Sequence, residues 1–175
     1  MTRDAEVVVI GGGIAGISLA GRLAGRREVV VLETEDHLGT HATGRSAAAF
    51  VEAYGPPEIR ALTTRGRGFF ETPPAGFTEA PLVHPRASLV YGGESELEAL
   101  RVAFEQGRRS CVLAWLDRDA VLAHCPVLRP EVVAGGFLEP GTRDIEAAAL
   151  LQGFARMARR GGARILTASR VEEIR

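Results

Sequence analysis

The apolar positions of the chain open as two uninterrupted β-branched runs, Glu6 to Ile10 (EVVVI) and Glu28 to Glu33 (EVVVLE), the mark of strands buried on both faces. Between them, three glycines precede Ile14, Ile17, Leu19, Ala20 and Leu23, whose spacing predicts a helix packed closely on a sheet, with Gly25 as its stop. Strand, glycine turn, helix and strand within about 30 residues make a βαβ unit, with parallel strands and a right-handed crossover.

From Thr34 to Gly55 the sequence turns polar and then small, with neither helical nor strand period, and an irregular stretch of that length inside a compact domain is usually functional. Pro56-Pro57 opens a helix that carries Ile59, Leu62, Gly66, Phe69 and Phe70 on one face, and Pro73-Pro74 closes it. Pro81 to Tyr91 reads as two short strands around a turn at Pro85. Glu94 to Glu105 and Asp117 to His124 are helical in pattern, and Val132 to Leu138 is a strand containing a glycine pair. Asp144 is the expected N-cap of a helix through Arg160, whose stripe of Leu150, Leu151, Phe154, Met157 and Ala158 is core. Arg164 to Ala168 is a strand, and Val171 to Arg175 reads as the start of another. A sheet left open there predicts an architecture that needs more chain.

Composition narrows the class. The 175 residues are 46% hydrophobic and 25% charged with a mean hydropathy of +0.05, which excludes disorder and a fibrous architecture. The net charge is −1, with 21 basic residues, all arginine, against 22 acidic ones, so no nucleic-acid partner is expected. Cys111 and Cys125 form no CxxC, and His37, His41, His84 and His124 are scattered, so neither a disulfide framework nor a metal site is predicted. The uncharged stretch Val7 to Gly21 is too short to span a membrane, and Asp4 and Glu6 spoil a basic leader. The expectation is a cytoplasmic chain with no transmembrane segment.

The chemistry sits in the first glycine turn. Gly11-x-Gly13-x-x-Gly16 lies between a buried strand and a helix, where the first glycine makes the turn, the second admits a pyrophosphate and the third lets helix and strand touch. The helix N-terminus offers N–H groups and about half a positive charge to the phosphates. Glu33, at the end of the second strand, suits a carboxylate that accepts ribose hydroxyls, and it disfavours a 2′-phosphate. On spacing alone, FAD and NAD remain alternatives, and an NAD-dependent dehydrogenase would need an acid or base that nothing after Glu33 marks.

A resemblance separates them. VVVIGGGIAGISLAGRLA, VVVLE and HATGRSAAAF, continued by AYGPPEIRAL, FFETPPAGFTEAPLVHPR, CPVLRPE and DIEAAALLQGF, resemble the N-terminal half of the FAD-dependent amino-acid oxidoreductases of the D-amino acid oxidase superfamily, most of all the D-arginine dehydrogenase branch. The resemblance implies an α/β fold: a three-layer, Rossmann-like FAD-binding domain with the start of a mixed α+β substrate domain, truncated at its C-terminal side. It divides the chain into residues 1–79, the first part of the FAD-binding domain, 80–140, a substrate-domain portion, and 141–175, the returning helix and strand. It implies oxidation of the CH–NH2 group of a D-amino acid, hydride passing to flavin N5 and the imine hydrolysing to a 2-oxo acid and ammonia.

By the same resemblance Gly11, Gly13, Ile14, Ala15 and Gly16 hold the FAD pyrophosphate, and Glu33 with Thr34 holds the adenosine ribose. Ala42, Thr43, Gly44, Arg45, Ser46, Ala47 and Ala48 run along the flavin, small because a flat ring against backbone leaves little room, and Val171 meets the adenine through its backbone. Tyr54 lies over the substrate, able to close on it and exclude water. Ser88 stands where the branch carries an acidic residue for the D-arginine guanidinium, and Ala49 stands where it carries a histidine. No strong D-arginine preference is therefore expected. The carboxylate clamp belongs to the family's other half, so no catalytic residue is assigned here, and no motif identifies the electron acceptor. The expected partner is a small amino-acid or amine substrate. The alternative is a non-catalytic flavin-binding fragment, or one half of a split enzyme completed by a second chain.

Overall fold

The computed structural model describes residues 5–174. In chain order the elements are β1 (Val7–Ile10), α1 (Ile14–Leu23), β2 (Val29–Leu32), β3 (Ala49–Phe50), α2 (Pro57–Glu71), β4 (Val83–Pro85), β5 (Ser88–Gly92), α3 (Leu97–Gly107), β6 (Ala114–Asp117), α4 (Arg118–His124), β7 (Gly135–Glu139), β8 (Arg143–Ile145), α5 (Ala147–Arg160) and β9 (Arg164–Leu166). They form two compact units. The first takes the chain up to Ala48, Thr72–Leu82 and everything from Ile145, and the second takes Ala49–Glu71 and Val83–Asp144. Residues 49–71 thus group with the second unit, although the expected segmentation kept them in the first.

The first unit is built on a parallel sheet of order β1-β2-β9, with Val7 opposite Val29 and Val31 opposite Ile165. Helix α1 is the crossover of the predicted βαβ unit, and Gly25, at φ +82°, ends it in the left-handed region that glycine enters freely. Helix α5 packs against α1 over Ile17, Ala20, Ala155 and Ala158, none of which is exposed. Phe77 and Phe154 meet edge to face with centroids 4.9 Å apart, and Arg156 donates to the Phe77 carbonyl at 2.6 Å. A Cβ on Gly153 would lie 2.3 Å from the Phe77 ring, so the absent side chain is what admits that ring. On β1, Val9 is buried while Val8 and Ile10 are exposed, so the described residues supply two layers, sheet and helices.

The second unit holds an antiparallel sheet of order β5-β7-β6 and a smaller one of order β3-β8-β4. The larger sheet carries Phe137, which packs with Phe104 of α3. Phe104 in turn meets Trp115 of β6 edge to face, and the Arg101 guanidinium lies 3.5 Å over the Trp115 ring. Asp117 caps α4 by accepting the Ala120 N–H at 2.9 Å, as the predicted start of that helix requires.

Two elements differ from expectation. Asp144 is not a helix cap: it lies in β8, opposite Ala49 of β3, with an ion pair to Arg86 at 2.5 Å, and α5 starts later, with Glu146 as its N-cap. The short β8 exists because it has neighbours on both sides, which no local pattern encodes. Residues 171–174 form no strand, and Arg175, the last residue of the expected one, lies outside the described residues. No helix among the described residues is long and apolar enough to cross a membrane.

Candidate cofactor site

The C-terminal end of β1 and the N-terminus of α1 define the site. Gly11 turns the chain at φ +100°, a conformation that penalises any side chain. A Cβ on Gly16 would sit 2.1 Å from the Gly11 carbonyl oxygen, so only glycine permits this approach of helix and strand. Gly13 precedes α1 without a side chain to cap it, and the Thr43 hydroxyl, arriving from the irregular segment, accepts the Ile14 N–H at 2.9 Å. The other first-turn N–H groups have no partner within the helix, and they form the positive end of its dipole.

Glu33 leaves β2 nearly buried. One carboxylate oxygen accepts the Gly12 N–H at 2.6 Å and the other accepts the Glu35 N–H at 2.9 Å. Those bonds, that of Glu35 foremost, hold its carboxyl below the usual range against the opposing effect of burial, so it is ionised at neutral pH. A carboxylate has about four acceptor positions, so Glu33 keeps acceptor capacity beyond these backbone bonds. The segment is braced from β9: Glu33 donates its N–H to Leu166, and the N–H groups of Ser169 and Ala168 return to the carbonyls of Glu33 and Glu35.

These groups line a cleft of about 400 Å³. It brings together Gly11, Gly13, Glu33, Thr34, Ala42 and Thr43 of the expected residues with His41, the first residue of the HATGRSAAAF motif, and adds Glu35, Gly39 and Thr40. Gly39, at φ +74°, donates its N–H to the Gly12 carbonyl at 3.2 Å, and His41 Nε2 contacts the Glu35 carboxylate at 2.8 Å. For Glu35, Gly39 and Thr40 the sequence signal is their place in the aperiodic polar stretch after Glu33.

Other expected residues stand apart from the cleft lining. Ile14 and Ala15 form the first turn of α1, and Gly16 packs beneath Gly11. Gly44 donates its N–H to Gly39, Arg45, Ser46 and Ala47 are exposed, and Ala48 takes a positive φ of 42° with its N–H on the Ser46 hydroxyl. Val171 is half-buried just beyond the return segment. In the second unit Ala49 is exposed in β3, Tyr54 is exposed in the following loop, and Ser88 is half-buried in β5, directly across the ladder from Glu139.

The second unit also buries two carboxylates that the motif reading missed, Glu52 and Glu139, with Arg67 paired to Glu52. Burial, aided by both carboxylates, pushes the nearby Cys111 thiol up to about 11. Among the described residues no cluster of His, Cys, Asp and Glu could hold a metal ion.

The cleft fits a dinucleotide: a helix N-terminus and side-chain-free turn for the diphosphate, and an ionised carboxylate with spare acceptor positions for the ribose. Comparison with known proteins agrees. The structure superposes on glycine oxidase from Geobacillus kaustophilus with a TM-score of 0.83 at 21% identity, covering 99% of this chain and 49% of that one. It matches L-proline dehydrogenase from P. horikoshii with a TM-score of 0.79 at 20% identity, covering 98% and 46%. It also matches L-alpha-glycerophosphate oxidase from Mycoplasma pneumoniae, solved with FAD bound, with a TM-score of 0.78 at 19% identity, covering 95% and 45%. The chain thus spans about half the length of these structures. The family model for FAD dependent oxidoreductases (DAO) matches residues 6–175, and the chain belongs to that family.

Proposed function

We propose that this chain is the cofactor-binding portion of a flavoenzyme that oxidises the CH–NH2 group of a D-amino acid. The observation that carries the reading is the ionised Glu33 at the cleft beside the glycine turn, its carboxylate held by backbone N–H groups. When bound, FAD supplies a ring that accepts hydride from the substrate α-carbon, the imine then hydrolysing to a 2-oxo acid and ammonia. The chain's residues do the holding. The turn Gly11–Gly16 takes the diphosphate, Glu33 and Thr34 the ribose, Val171 the adenine, and Ala42–Ala48 the flavin side. Tyr54, Ala49 and Ser88 are the residues of this chain that meet the substrate.

Serine at 88 removes a carboxylate that would pair with a cationic side chain, so no strong preference for D-arginine is expected. The two unpaired cysteines suit a reducing cytoplasm. The half-length match supports a second reading, a flavin-binding portion that turns over only when the remaining half is supplied by further sequence or a second chain.

The test is the visible spectrum of the purified chain with FAD, followed by anaerobic addition of D- and L-amino acid panels. A flavin spectrum is the expected result, and its bleaching by D-amino acids with no large advantage for D-arginine supports the first reading. A spectrum that no amino acid bleaches favours the second reading, and bleaching by the L-panel alone refutes D-specificity.

A further inference from the structure

Tyr54 is 75% exposed in the irregular loop between β3 and α2, yet the backbone that carries it is tied down on both sides. On one side stands Glu139, the last residue of β7, only 2% exposed. Its carboxylate accepts the Glu52 N–H at 2.8 Å and the Ala53 N–H at 3.3 Å. On the other side stands Arg60 of α2, 6% exposed, which donates from Nη1 to the Gly55 carbonyl at 2.7 Å. Gly55 sits at φ +85°, and a Cβ there would press on Ile59 at 3.3 Å, so the turn after the tyrosine needs glycine. The Glu52 side chain is anchored to Arg67 of the same helix.

A solvated loop could satisfy these three backbone groups with water at no desolvation cost. Taking a carboxylate and a guanidinium out of water costs several kcal/mol each unless good hydrogen bonds offset it. Both buried side chains direct hydrogen bonds to the backbone on either side of Tyr54.

We propose that Glu139 and Arg60 are positioning residues, a two-sided clamp that fixes the backbone around Tyr54 and presents its ring to a small-molecule ligand. The adjustment over a ligand is then rotation of the tyrosine side chain on a fixed loop. Ser88 is the backbone partner of Glu139 in the β5–β7 ladder. The role toward substrate rests on the proposed function, whereas the clamp itself rests only on the geometry above.

Amide hydrogen exchange, followed by NMR on the full 175-residue chain, reads the clamp directly. The Glu52 and Ala53 amides are expected to exchange at least ~100-fold more slowly than in an unstructured peptide, although neither belongs to a strand. In Glu139→Gln these two speed up at least ~10-fold while Val90 and Phe137 in the neighbouring ladder keep their rates. The chain has two tyrosines, so 3-fluorotyrosine gives two resonances, which Tyr91→Phe assigns. The Tyr54 resonance should broaden or split in both Glu139→Gln and Arg60→Gln, and that of Tyr91 should not.

Random-coil exchange at Glu52 and Ala53 in the wild-type chain overturns the proposal, and that measurement needs no variant to fold. So does an unchanged Tyr54 resonance in the variants, or an acceleration spread evenly over the unit, which would make Glu139 a residue of general stability. No ligand is used, so failure here removes the clamp and leaves the flavoenzyme reading, while failure of the D-amino acid test leaves these rates untouched.

Discussion

Replacing Glu33 by alanine strips the acceptor from two backbone N–H groups at once, one at Gly12 in the glycine turn and one at Glu35. A hydrogen bond to a charged group contributes about 1.5–3 kcal/mol. The Gly12 bond is the shorter, at 2.6 Å, and buried, so it belongs near the top of that range, while the part-buried Glu35 N–H regains water and belongs near the bottom. The expected loss is about 4 kcal/mol, and at roughly 2–4 °C per kcal/mol for a chain of this size the melting temperature falls by about 8–16 °C. Glu33→Gln keeps one acceptor oxygen and turns an amide N–H toward the other donor, so it loses about half as much. The assay is calorimetric melting of the three proteins with and without FAD. The cofactor should raise the wild-type midpoint, and the alanine variant least. The carboxyl is depressed in the fold, so its contribution is present above the unfolded value near ~4.3 and is lost as pH falls through the folded one. The gap between wild type and alanine variant should therefore close on acidification below about pH 4. A Glu33→Ala protein melting within about 2 °C of wild type at pH 7 would refute the reasoning.

Other positions give sharper steric or chemical tests. Gly16→Ala places a methyl 2.1 Å from the Gly11 carbonyl, a backbone atom that cannot swing aside, so β1 and α1 must part. The variant should lose about 2–3 kcal/mol and its flavin absorbance together, and retention of both on a gel-filtered sample would contradict the close-approach argument. Gly153→Ala presses a methyl on the Phe77 ring, which can rotate at the expense of its edge contact with Phe154. A smaller loss of about 1–2 kcal/mol should appear in denaturant melts, and a stabilised variant would show the ring is not confined. The Cys111 thiol, at about 11, is almost wholly protonated at pH 8, so iodoacetamide should label it roughly 100-fold more slowly than N-acetylcysteine, read by peptide mass spectrometry. Equal rates would place it in water.

The part of the fold nearest the site was legible because it is written locally. The two β-branched runs, the glycine turn and the first helix each follow from their own residues, and Glu33 follows from its place at the end of β2. What the pattern missed depends on distant neighbours. Strand β8 is three residues, Arg-Asp-Ile, with no strand period, and it forms because β3 and β4 flank it. For the same reason Asp144, a good cap by type, is spent on a ladder and an ion pair. Strand β6 is hidden in the pattern because its last residue, Asp117, doubles as the cap of α4. Glu35 and His41 enter the cleft through a turn without period, and the burial of Glu52 and Glu139 joins residues that are far apart in sequence. A charge in a sequence reads as surface until the backbone groups that need it are known.

The bracing of residues 33–35 by β9 also dictates an order of events during synthesis. Strand β2 is central, but its second neighbour is drawn from Arg164–Leu166, and Glu33 and Glu35 receive their last backbone partners only from Ala168 and Ser169. More than a hundred residues, including the whole second unit, must leave the ribosome before that pairing can close. Closing so long a loop is entropically costly and slow, and parallel pairing cannot be rehearsed in a local hairpin. The β1–α1–β2 segment therefore emerges first, with β2 waiting for the partner that β9 supplies after the second unit. On a nascent chain the Glu33 side of the cleft stays unbraced until β9 has paired with β2.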